Sequence, residues 1–278
     1  MFDLFVNTSE SCSKLITKAY STSFSLGIRT LDRSIRNPIY NIYAFVRYAD
    51  EIVDTFHDFN KSALLTQFKQ QTYQAIYDKI SLNPILFSFQ KTVNEYQINL
   101  DLIEAFFKSM ETDLSETSYN KEDYTEYIYG SAEVVGLMCL HVFTNGDSEL
   151  FERLKSPARS LGAAFQKVNF LRDMKSDFEE RGRVYFPGID FTHFQEEAKA
   201  QIEKEILIDF QDAEKGIREL PISSRRGVRL AYRYYLKLFQ KIQSAPAHSL
   251  KETRIRVPDT EKLLILAREI LSARVGMA

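Results

Sequence analysis

The sequence predicts an all-α protein that forms one helical bundle domain. Apolar residues recur at helical spacing along nearly the whole chain, and no stretch shows the strict alternation of a half-buried strand. Glycine and proline are scarce, at 10 and 7 among 278 residues, so few turns separate long elements. A chain of this length forms one large domain or two small ones. Because no linker rich in Gly, Ser or Pro interrupts it, we expect one domain spanning residues 1–278.

The first six predicted helices are separated by recognisable breaks. They cover residues 8–19, 35–58, 62–80, 84–97, 99–114 and 121–144. Pro38 falls in an early turn of the second helix. Asn83 and Pro84 separate the third helix from the fourth, and Asn145 with Gly146 ends the sixth.

Four further helices are predicted in the C-terminal half. They cover residues 147–180, 194–214, 221–244 and 259–274. The breaks around them are the helix-breaking residues Pro187, Gly188, Pro221, Pro246 and Pro258.

Composition narrows the class of function and the compartment. The formal net charge is -2, with 36 basic and 38 acidic residues, which lacks the basic surplus of a nucleic-acid-binding protein. We therefore expect no nucleic-acid partner. The two cysteines, Cys12 and Cys139, form neither a metal-ligand cluster nor a disulfide framework, which favours a reducing cytoplasm.

The sequence predicts no membrane-spanning segment. The first ten residues, MFDLFVNTSE, are acidic and do not resemble a signal peptide, and the longest apolar run, 134–143, is too short for a bilayer. We expect a soluble cytoplasmic protein or one bound only at a membrane surface. The mixed basic and apolar stretch 225–239 is a candidate for such contact. The alternative is that this stretch is an ordinary amphipathic helix packed in the bundle.

Two pairs of aspartates are the candidate chemistry of the chain. Asp50 and Asp54 are four residues apart in one predicted helix, and Asp173 and Asp177 repeat that spacing in another. On a helix both members of a pair point the same way, and their repulsion costs a few tenths of a kcal/mol. If the two helices face each other, four carboxylates converge, and that arrangement requires cations.

Mg²⁺ is the cation that this pattern favours, with Mn²⁺ as a substitute. Mg²⁺ takes oxygen ligands and is commonly held by one or two carboxylates together with substrate phosphates. Arg47 and Arg172 lie within one helical turn of the carboxylates and could bind phosphate oxygens. The competing interpretation is a solvated helix face, on which Arg47 and Glu51 form a weak surface ion pair.

Five segments in chain order carry a recognisable pattern. They are YSTSFSLG (20–27), IYAFVRYADEIVD (42–54), YIYGSAEVVGLM (127–138), LGAAFQKVNFLRDMKSDFEERGRVYFP (161–187) and TRIRVP (253–258). Together they resemble the squalene and phytoene synthases, a family of head-to-head prenyl transferases. The resemblance implies a helical bundle of the isoprenoid-synthase type with a central active-site cavity.

The resemblance also implies roles for individual residues. The implied Mg²⁺ ligands are Asp50, Asp54, Asn169, Asp173 and Asp177. The residues implied to hold diphosphate or to line the same site are Arg47, Arg172 and Gln166. The residues implied to close the top of the substrate cavity are Ser21, Ser23 and Phe24, and those that would face the reacting carbons are Tyr43 and Tyr127.

Four positions depart from the family pattern. Glu51 stands where many members have a second aspartate. Tyr20 and Thr22 stand where some relatives place His and Lys, and Glu133 replaces a common glycine.

The resemblance leaves three reactions open. Phytoene synthase joins two geranylgeranyl diphosphates, dehydrosqualene synthase joins two farnesyl diphosphates, and squalene synthase adds a reduction by NADPH. The segments YGSAEVVGLMCLHVF (129–143) and RIRVP (254–258) are most similar to bacterial phytoene synthases. We therefore expect phytoene formation through a cyclopropyl diphosphate, without NADPH, in carotenoid biosynthesis. A non-catalytic helical scaffold or assembly factor is the alternative of another class, and the presence of both aspartate pairs argues against it.

Overall fold

The computed structural model describes residues 1–115, 118–189 and 194–274. Its helices are α1 (Phe2–Tyr20), α2 (Thr22–Thr30), α3 (Arg33–Asp54), α4 (Lys61–Asp78), α5 (Pro84–Tyr96), α6 (Leu100–Ser115), α7 (Lys121–Ile128), α8 (Val134–Thr144), α9 (Ser148–Arg181), α10 (Glu196–Glu219), α11 (Ile222–Gln243), α12 (Ala247–Leu250) and α13 (Asp259–Arg274). Strand pairing in the described residues is limited to one isolated bridge between Ser118 and Val184. The prediction of an all-α fold is confirmed.

Polar caps explain why many predicted helix bounds agree with the observed ones. A short polar side chain before the helix accepts a backbone N–H bond from the first turn, which stabilises the start. The helices that begin in this way include α3, α4, α5, α7 and α9, and their caps are Asp32, Asn60, Asn83, Asn120 and Asp147.

The longest helix, α9, runs through the middle of the bundle. It has 34 residues and packs against α10 and against α8. On the other side of the bundle, Phe45 of α3 is fully buried and stacks on Phe89 of α5, with ring centroids 3.8 Å apart. These two packed layers hold α3 and α9 on opposite sides of a central cavity.

The N-terminal region contains more helix than the sequence predicts. α1 begins at Phe2 rather than at residue 8, because Thr8 and Ser11 fit inside the helix by donating their hydroxyls to carbonyl oxygens one turn earlier. α2 is absent from the predicted helices. It starts because the Ser21 side chain accepts a hydrogen bond from the Phe24 backbone N–H at 3.2 Å.

Two smaller differences lie near helix ends. α3 ends at Asp54 rather than at residue 58, because Asn60 caps the next helix and Lys61 donates to the Val53 carbonyl oxygen at 2.8 Å. The single-turn helix α12 is also missing from the prediction, since four residues are too few to show helical periodicity.

The predicted helix at 121–144 contains a wide turn. A π-helical segment, Tyr129–Glu133, separates α7 from α8. The backbone passes so close to α6 here that a Cβ atom on Gly130 would lie 2.5 Å from the Ala105 carbonyl oxygen. Only glycine permits this approach, and the helical periodicity of the sequence does not reveal it.

The continuous stretch Lys121–Thr144 is long and apolar enough to cross a membrane, judged by length and composition alone. The stretch reaches this length because α7, the wide turn and α8 follow one another directly, whereas the apolar run 134–143 alone is too short. More than half (56%) of the most apolar part of this stretch is buried inside the bundle, where it packs against α6 and α9. This is the environment of a core helix.

The stretch 225–239 lies in α11 and is packed against α13. Leu230 and Phe239 are fully buried, and Arg233 pairs with the buried Glu269 at 2.8 Å. This burial favours the packed amphipathic helix over a membrane-contact surface. Contact with a membrane elsewhere on the protein stays a prediction.

Candidate active site

A cavity of about 710 Å³ lies between α2, α3, α8, α9, α10 and α11. Carboxylates and guanidinium groups line one part of it, and aliphatic, aromatic and small side chains line the rest. Ser23 lies outside this wall and is half-buried on α2. The other predicted site residues all lie in the wall: Ser21, Phe24, Tyr43, Arg47, Asp50, Asp54, Tyr127, Gln166, Asn169, Arg172, Asp173 and Asp177.

The first aspartate pair projects from the last turns of α3. An Arg47 nitrogen lies 4.0 Å from Asp50, and the guanidinium lies over the Tyr20 ring, 4.5 Å from its centroid. Burial and the neighbouring charge of Asp54 raise the pKa of Asp50 to about 7, against the opposing effect of Arg47. A carboxyl group in this state ionises readily when a cation binds beside it.

Arg47 also pairs with Glu51, one turn further along α3. The two side chains are only 26% and 14% exposed, so this contact is not the surface ion pair of the competing interpretation. Glu51, one of the four departures from the family pattern, thus orients Arg47 inside the site.

The second aspartate pair lies on the last turns of α9. Two guanidinium groups hold Asp173: Arg172 donates from Nε at 3.0 Å, and Arg254 approaches with Nε at 2.7 Å. Asp177 is buried, and its backbone carbonyl oxygen accepts from the Arg183 N–H at 2.9 Å. The sequence indicated no role for Arg254, although it lies in the segment TRIRVP.

Arg183 is a buried cation beside the aspartate pairs. Its guanidinium lies 3.4 Å from a carboxylate oxygen of Asp54 and from one of Asp113, and it also donates to the Asp113 carbonyl oxygen at 2.5 Å. Burial raises the pKa of Asp113 to about 7, although the Arg183 charge and a hydrogen bond from Tyr127 lower it. Arg183 therefore ties α3 and α6 to the segment that follows α9.

The aspartate spacing does not predict Asp113, yet a signal for it exists. Asp113 follows Phe106 and Met110 at offsets of seven and three residues, which places an acid on the apolar face of α6. Both apolar residues are buried, and Asp113 is only 7% exposed. An acid on a buried face needs a partner, and here that partner is Arg183.

Aromatic rings lie next to the charged part of the cavity. On one side Tyr185 stacks between Tyr127 and Phe170, with centroids 5.3 and 4.0 Å apart. On the other side Tyr43 contacts Phe24 at 5.4 Å. The Tyr127 hydroxyl donates to Asp113 at 2.8 Å, and burial holds the pKa of Tyr127 well above its ordinary value, so the ring stays neutral. Such ring faces attract a cation by about 0.5–2 kcal/mol each.

Gln166 and Asn169 lie at helical spacing from Asp173 and Asp177, so these four polar residues share one face of α9. Gln166 donates to the Ser131 hydroxyl oxygen at 3.2 Å, and Asn169 accepts from the Tyr235 hydroxyl at 3.3 Å. Both side chains line the cavity. This polar face of α9 therefore lines an internal site and is not the solvated helix face of the competing interpretation.

The donor set fits a hard cation that shares its coordination with a substrate. Among the described residues, no group of three or more His, Cys, Asp and Glu side chains forms a metal cage of its own. Each aspartate pair instead offers two carboxylates, which matches Mg²⁺ completed by water and phosphate oxygens. The raised pKa of Asp50 supports this fit, because a crowded carboxyl group gains a counter-charge when a cation binds. Mg²⁺ binding itself stays a prediction.

Comparison with known proteins identifies the family. The family profile described as Squalene/phytoene synthase matches residues 17–261. The chain belongs to this family. The match includes all five segments that carry the resemblance, and the family consists of prenyl-transferase enzymes, so the prediction of an enzyme of this type is confirmed.

Relatives in the squalene/phytoene synthase family are distant but extensive. The chain is 26% identical to a phytoene synthase from Arthrospira platensis over 94% of its own length and 92% of that protein. It is 25% identical to the chloroplastic phytoene synthase 1 of Zea mays, of which it spans 65%. It is also 27% identical to a 4,4′-diapophytoene synthase of Staphylococcus haemolyticus, over 70% of this chain and 67% of that one.

Solved structures of the family share the fold. A dehydrosqualene synthase crystallised with a ligand superposes with a TM-score of 0.81, at 21% identity, over 97% of this chain and 98% of that one. The squalene synthase HpnC from Alicyclobacillus acidocaldarius gives a TM-score of 0.73 at 19% identity, over 86% and 94%. The predicted bundle of the squalene and dehydrosqualene synthase type is therefore confirmed.

The remaining departures from the family pattern have clear places in the structure. Glu133 pairs with Arg159 at 2.6 Å beside the wide turn. Close packing of the helices persists there, because a Cβ atom on Gly162 would lie 2.7 Å from the Ala132 carbonyl oxygen. Thr22 is exposed, and its hydroxyl oxygen lies 3.4 Å from the Lys262 ammonium group.

Proposed function

We propose that the protein is a Mg²⁺-dependent phytoene synthase that condenses two geranylgeranyl diphosphates head to head. The observation that carries this proposal is one cavity with carboxylates and guanidinium groups in one part and an apolar wall along the rest. Such a cavity suits a substrate with an anionic head and a long hydrocarbon chain. Membership in a family of prenyl transferases supports the reaction type.

The charged residues would bind the diphosphate heads. Arg47 and Arg172 offer guanidinium forks to phosphate oxygens, and both are already oriented by carboxylates. The two aspartate pairs with Asn169 would hold Mg²⁺, which when bound neutralises the leaving diphosphate and so promotes ionisation of the allylic C–O bond. Arg254, which pairs with Asp173, would also bind phosphate oxygens and neutralise part of their charge.

The apolar wall would protect the allylic cation. Its packed apolar side chains would keep water away from the cation. The ring faces of Tyr43, Phe24 and Tyr127 lie next to the charged part of the cavity. The double bond of the second prenyl diphosphate attacks this cation, and loss of a proton closes the ring to give a cyclopropyl diphosphate. That intermediate loses its diphosphate in turn, rearranges and releases a proton to yield phytoene. No reductant enters this sequence, so we expect no use of NADPH.

A second candidate is dehydrosqualene synthesis from two farnesyl diphosphates. The relative named 4,4′-diapophytoene synthase and the structural similarity to a dehydrosqualene synthase favour it. Phytoene is the first choice because the two relatives matched over most of this chain, from Arthrospira platensis and Zea mays, bear that name.

The proposal includes a place and partners. We expect a soluble cytoplasmic enzyme or one attached to a membrane surface, with prenyl diphosphates as its substrates and no nucleic-acid partner. The nearly balanced charge supports the last point.

The test is to incubate the purified protein with farnesyl or geranylgeranyl diphosphate, with and without Mg²⁺ and NADPH. We expect phytoene from geranylgeranyl diphosphate, two diphosphates released per product, dependence on Mg²⁺ or Mn²⁺, and no effect of NADPH. The variant Asp173→Asn, purified in parallel, controls for contaminating activity. Squalene formed only with NADPH would replace the proposal, and no diphosphate release under any condition would favour a non-catalytic scaffold.

A further inference from the structure

The far part of the cavity can be located from contacts between α8 and α9. The Gln166 amide lies 3.2 Å from the Ser131 hydroxyl, next to the wide turn. One turn further from the aspartates, Gly162 abuts Ala132, and another turn further a Cβ atom on Gly136 would lie 2.9 Å from the Ala158 carbonyl oxygen. The two helices are therefore antiparallel here, and each turn away from Gln166 on α9 matches a turn toward the end of α8.

Continuing this register brings Cys139 of α8 to the level of Leu154 and Ala158 of α9. All three residues line the cavity, together with Phe143 at the next turn of α8. Leu154 is the first residue of α9 in the lining, and Phe143 is the last of α8. The cavity therefore ends near these side chains.

Close contact between α9 and α10 shuts the cavity at the same level. A Cβ atom on Gly216 of α10 would lie 2.3 Å from Cβ of Pro157, so no space remains between the two helices. Arg153, one turn before Pro157, lies 3.0 Å from Glu219 on the outside of the same contact. We name the side chains at this end, Cys139, Phe143 and Leu154, the cavity floor.

The depth of the cavity can be compared with the length of a prenyl chain. Twelve residues separate Tyr127, beside the charged part, from Cys139. At 1.5 Å per residue they span at most about 18 Å, since the wide turn between them is wound less tightly along the axis than an α-helix. An extended chain advances about 1.2 Å per backbone bond, which gives about 18 Å for a C20 prenyl group and about 13 Å for a C15 group. The tail of a C20 chain therefore reaches Cys139, whereas a C15 tail stops about 5 Å, or nearly one helical turn, short of it.

We infer that the cavity floor sets the longest prenyl chain the site accepts, and that Cys139 is the position at which a C20 tail ends. This inference rests on the proposed function, because it assumes that prenyl diphosphates bind with their heads at the aspartates. A small side chain at this position leaves room that a large one would remove. The floor is thus a specificity determinant for C20 over C15 substrates.

The first test changes the size of the floor residues. Cys139→Phe fills the end of the cavity, and we expect the ratio of kcat/KM for geranylgeranyl over farnesyl diphosphate to fall by at least about 10-fold, within the range that buried methylene groups contribute to discrimination. Phe143→Ala deepens the floor beyond the end of a C20 tail and should let the site accept a C25 prenyl diphosphate that the wild type rejects. Cys139→Ser preserves size and should preserve the ratio.

Met138→Phe is the matched control for crowding in α8. Met138 is adjacent to Cys139 and fully buried but lies outside the cavity lining. The Met138→Phe substitution should leave the kcat/KM ratio of the two substrates unchanged, whatever its effect on stability. If Cys139→Phe fails to fold, Phe143→Ala still tests the inference from the opposite direction.

The second test uses the Cys139 thiol as a reporter of where the tail ends and needs no turnover. Burial raises the pKa of Cys139 to about 12, so its alkylation by N-ethylmaleimide at pH 8.5 is slow and can be followed by mass spectrometry. In Mg²⁺, a saturating non-ionising analogue, geranylgeranyl thiolodiphosphate, should slow this reaction several-fold, and the saturating farnesyl analogue should slow it much less. Cys12, the other cysteine of the chain, lies on α1 outside the cavity lining and serves as an internal reference.

The two tests separate this inference from the proposed reaction. If no prenyl diphosphate is turned over but the C20 compound selectively protects Cys139, the reaction is wrong and the floor assignment holds. Equal protection by both compounds, or protection by neither, overturns the floor assignment. An unchanged substrate ratio in Cys139→Phe, together with no gain of C25 turnover in Phe143→Ala, overturns it as well.

Discussion

Replacing Arg183 with methionine should destabilise the metal-free protein. The Arg183 side chain is only 8% exposed and lies between the carboxylates of Asp54 and Asp113. Removing one partner of a buried ion pair costs about 3–5 kcal/mol, because the other charge is left uncompensated. Asp113 can escape part of this cost by taking up a proton. We therefore expect a loss of about 3 kcal/mol at alkaline pH.

The loss should depend on pH in a defined direction. The pKa of Asp113 is about 7 with Arg183 in place, and since the Arg183 charge lowers it, removing Arg183 raises it further. Below pH 7 the Asp113 carboxyl group is protonated in both folded proteins, so the charge-dependent part of the loss disappears. The difference in unfolding free energy between the two proteins should therefore grow as the pH rises above 7.

Urea denaturation followed by circular dichroism at pH 6 and pH 8.5, in EDTA, measures this difference. Arg183→Lys retains a cation and should lose less. The double variant that combines Arg183→Met with Asp113→Asn leaves no buried carboxylate at position 113, so it should recover part of the stability at pH 8.5. An equal loss at both pH values, or a double variant no more stable than Arg183→Met, would refute the reasoning.

Three further predictions concern the aspartates and the helix packing. Asp50→Asn and Asp173→Asn should each lower turnover at saturating Mg²⁺ by at least about 10²-fold with helicity intact, and near-normal turnover in either variant would contradict the four-carboxylate site. Because the pKa of Asp50 is raised to about 7, the folding stability of the metal-free wild type should fall as the pH rises from about 4 to 7. Asp50→Asn should therefore melt at a higher temperature than wild type at pH 8, and the reverse order would count against the raised pKa. Gly162→Val should lower the melting temperature by several degrees, since its Cβ atom would press on the Ala132 carbonyl oxygen. Gly182→Val is the comparison that separates backbone strain from this crowding, because Gly182 lies at a helix end with no atom within 4 Å of such a Cβ.

Local patterns explain what the sequence could predict. The aspartate pairs are visible because both members lie on one helix, four residues apart, and the long apolar periodicity of α3 and α9 leaves little doubt about either element. Asp113 and Arg183 belong to separate elements and meet only in the folded chain. Their pairing depends on how α6 packs beside the end of α9, which no spacing in the sequence encodes.

The depth of the cavity is a second property that the sequence could not show. It depends on the register of α8 against α9, and that register is set by contacts between glycines and backbone oxygens of the facing helix. A glycine in a helix pattern has many possible causes, so Gly136 and Gly162 could not be assigned to this contact in advance. Cys139 lies inside an apolar helical run and has no sequence feature that marks it as a cavity residue, so only the folded structure places it in the lining.

The wide turn at Tyr129–Glu133 determines which way the residues beyond it point. Every fourth residue from Tyr127 to Phe143 lines the cavity. In a regular α-helix each step of four residues overshoots a full turn by about 40°, so Phe143 would point about 160° away from Tyr127. A π-helical segment uses more residues per turn and cancels much of this rotation. Deleting one residue from the turn would rotate all of α8 by about 100° and carry Cys139 and Phe143 out of the cavity. The residue count of this turn, more than the identity of its side chains, therefore keeps the reacting end and the floor on one face.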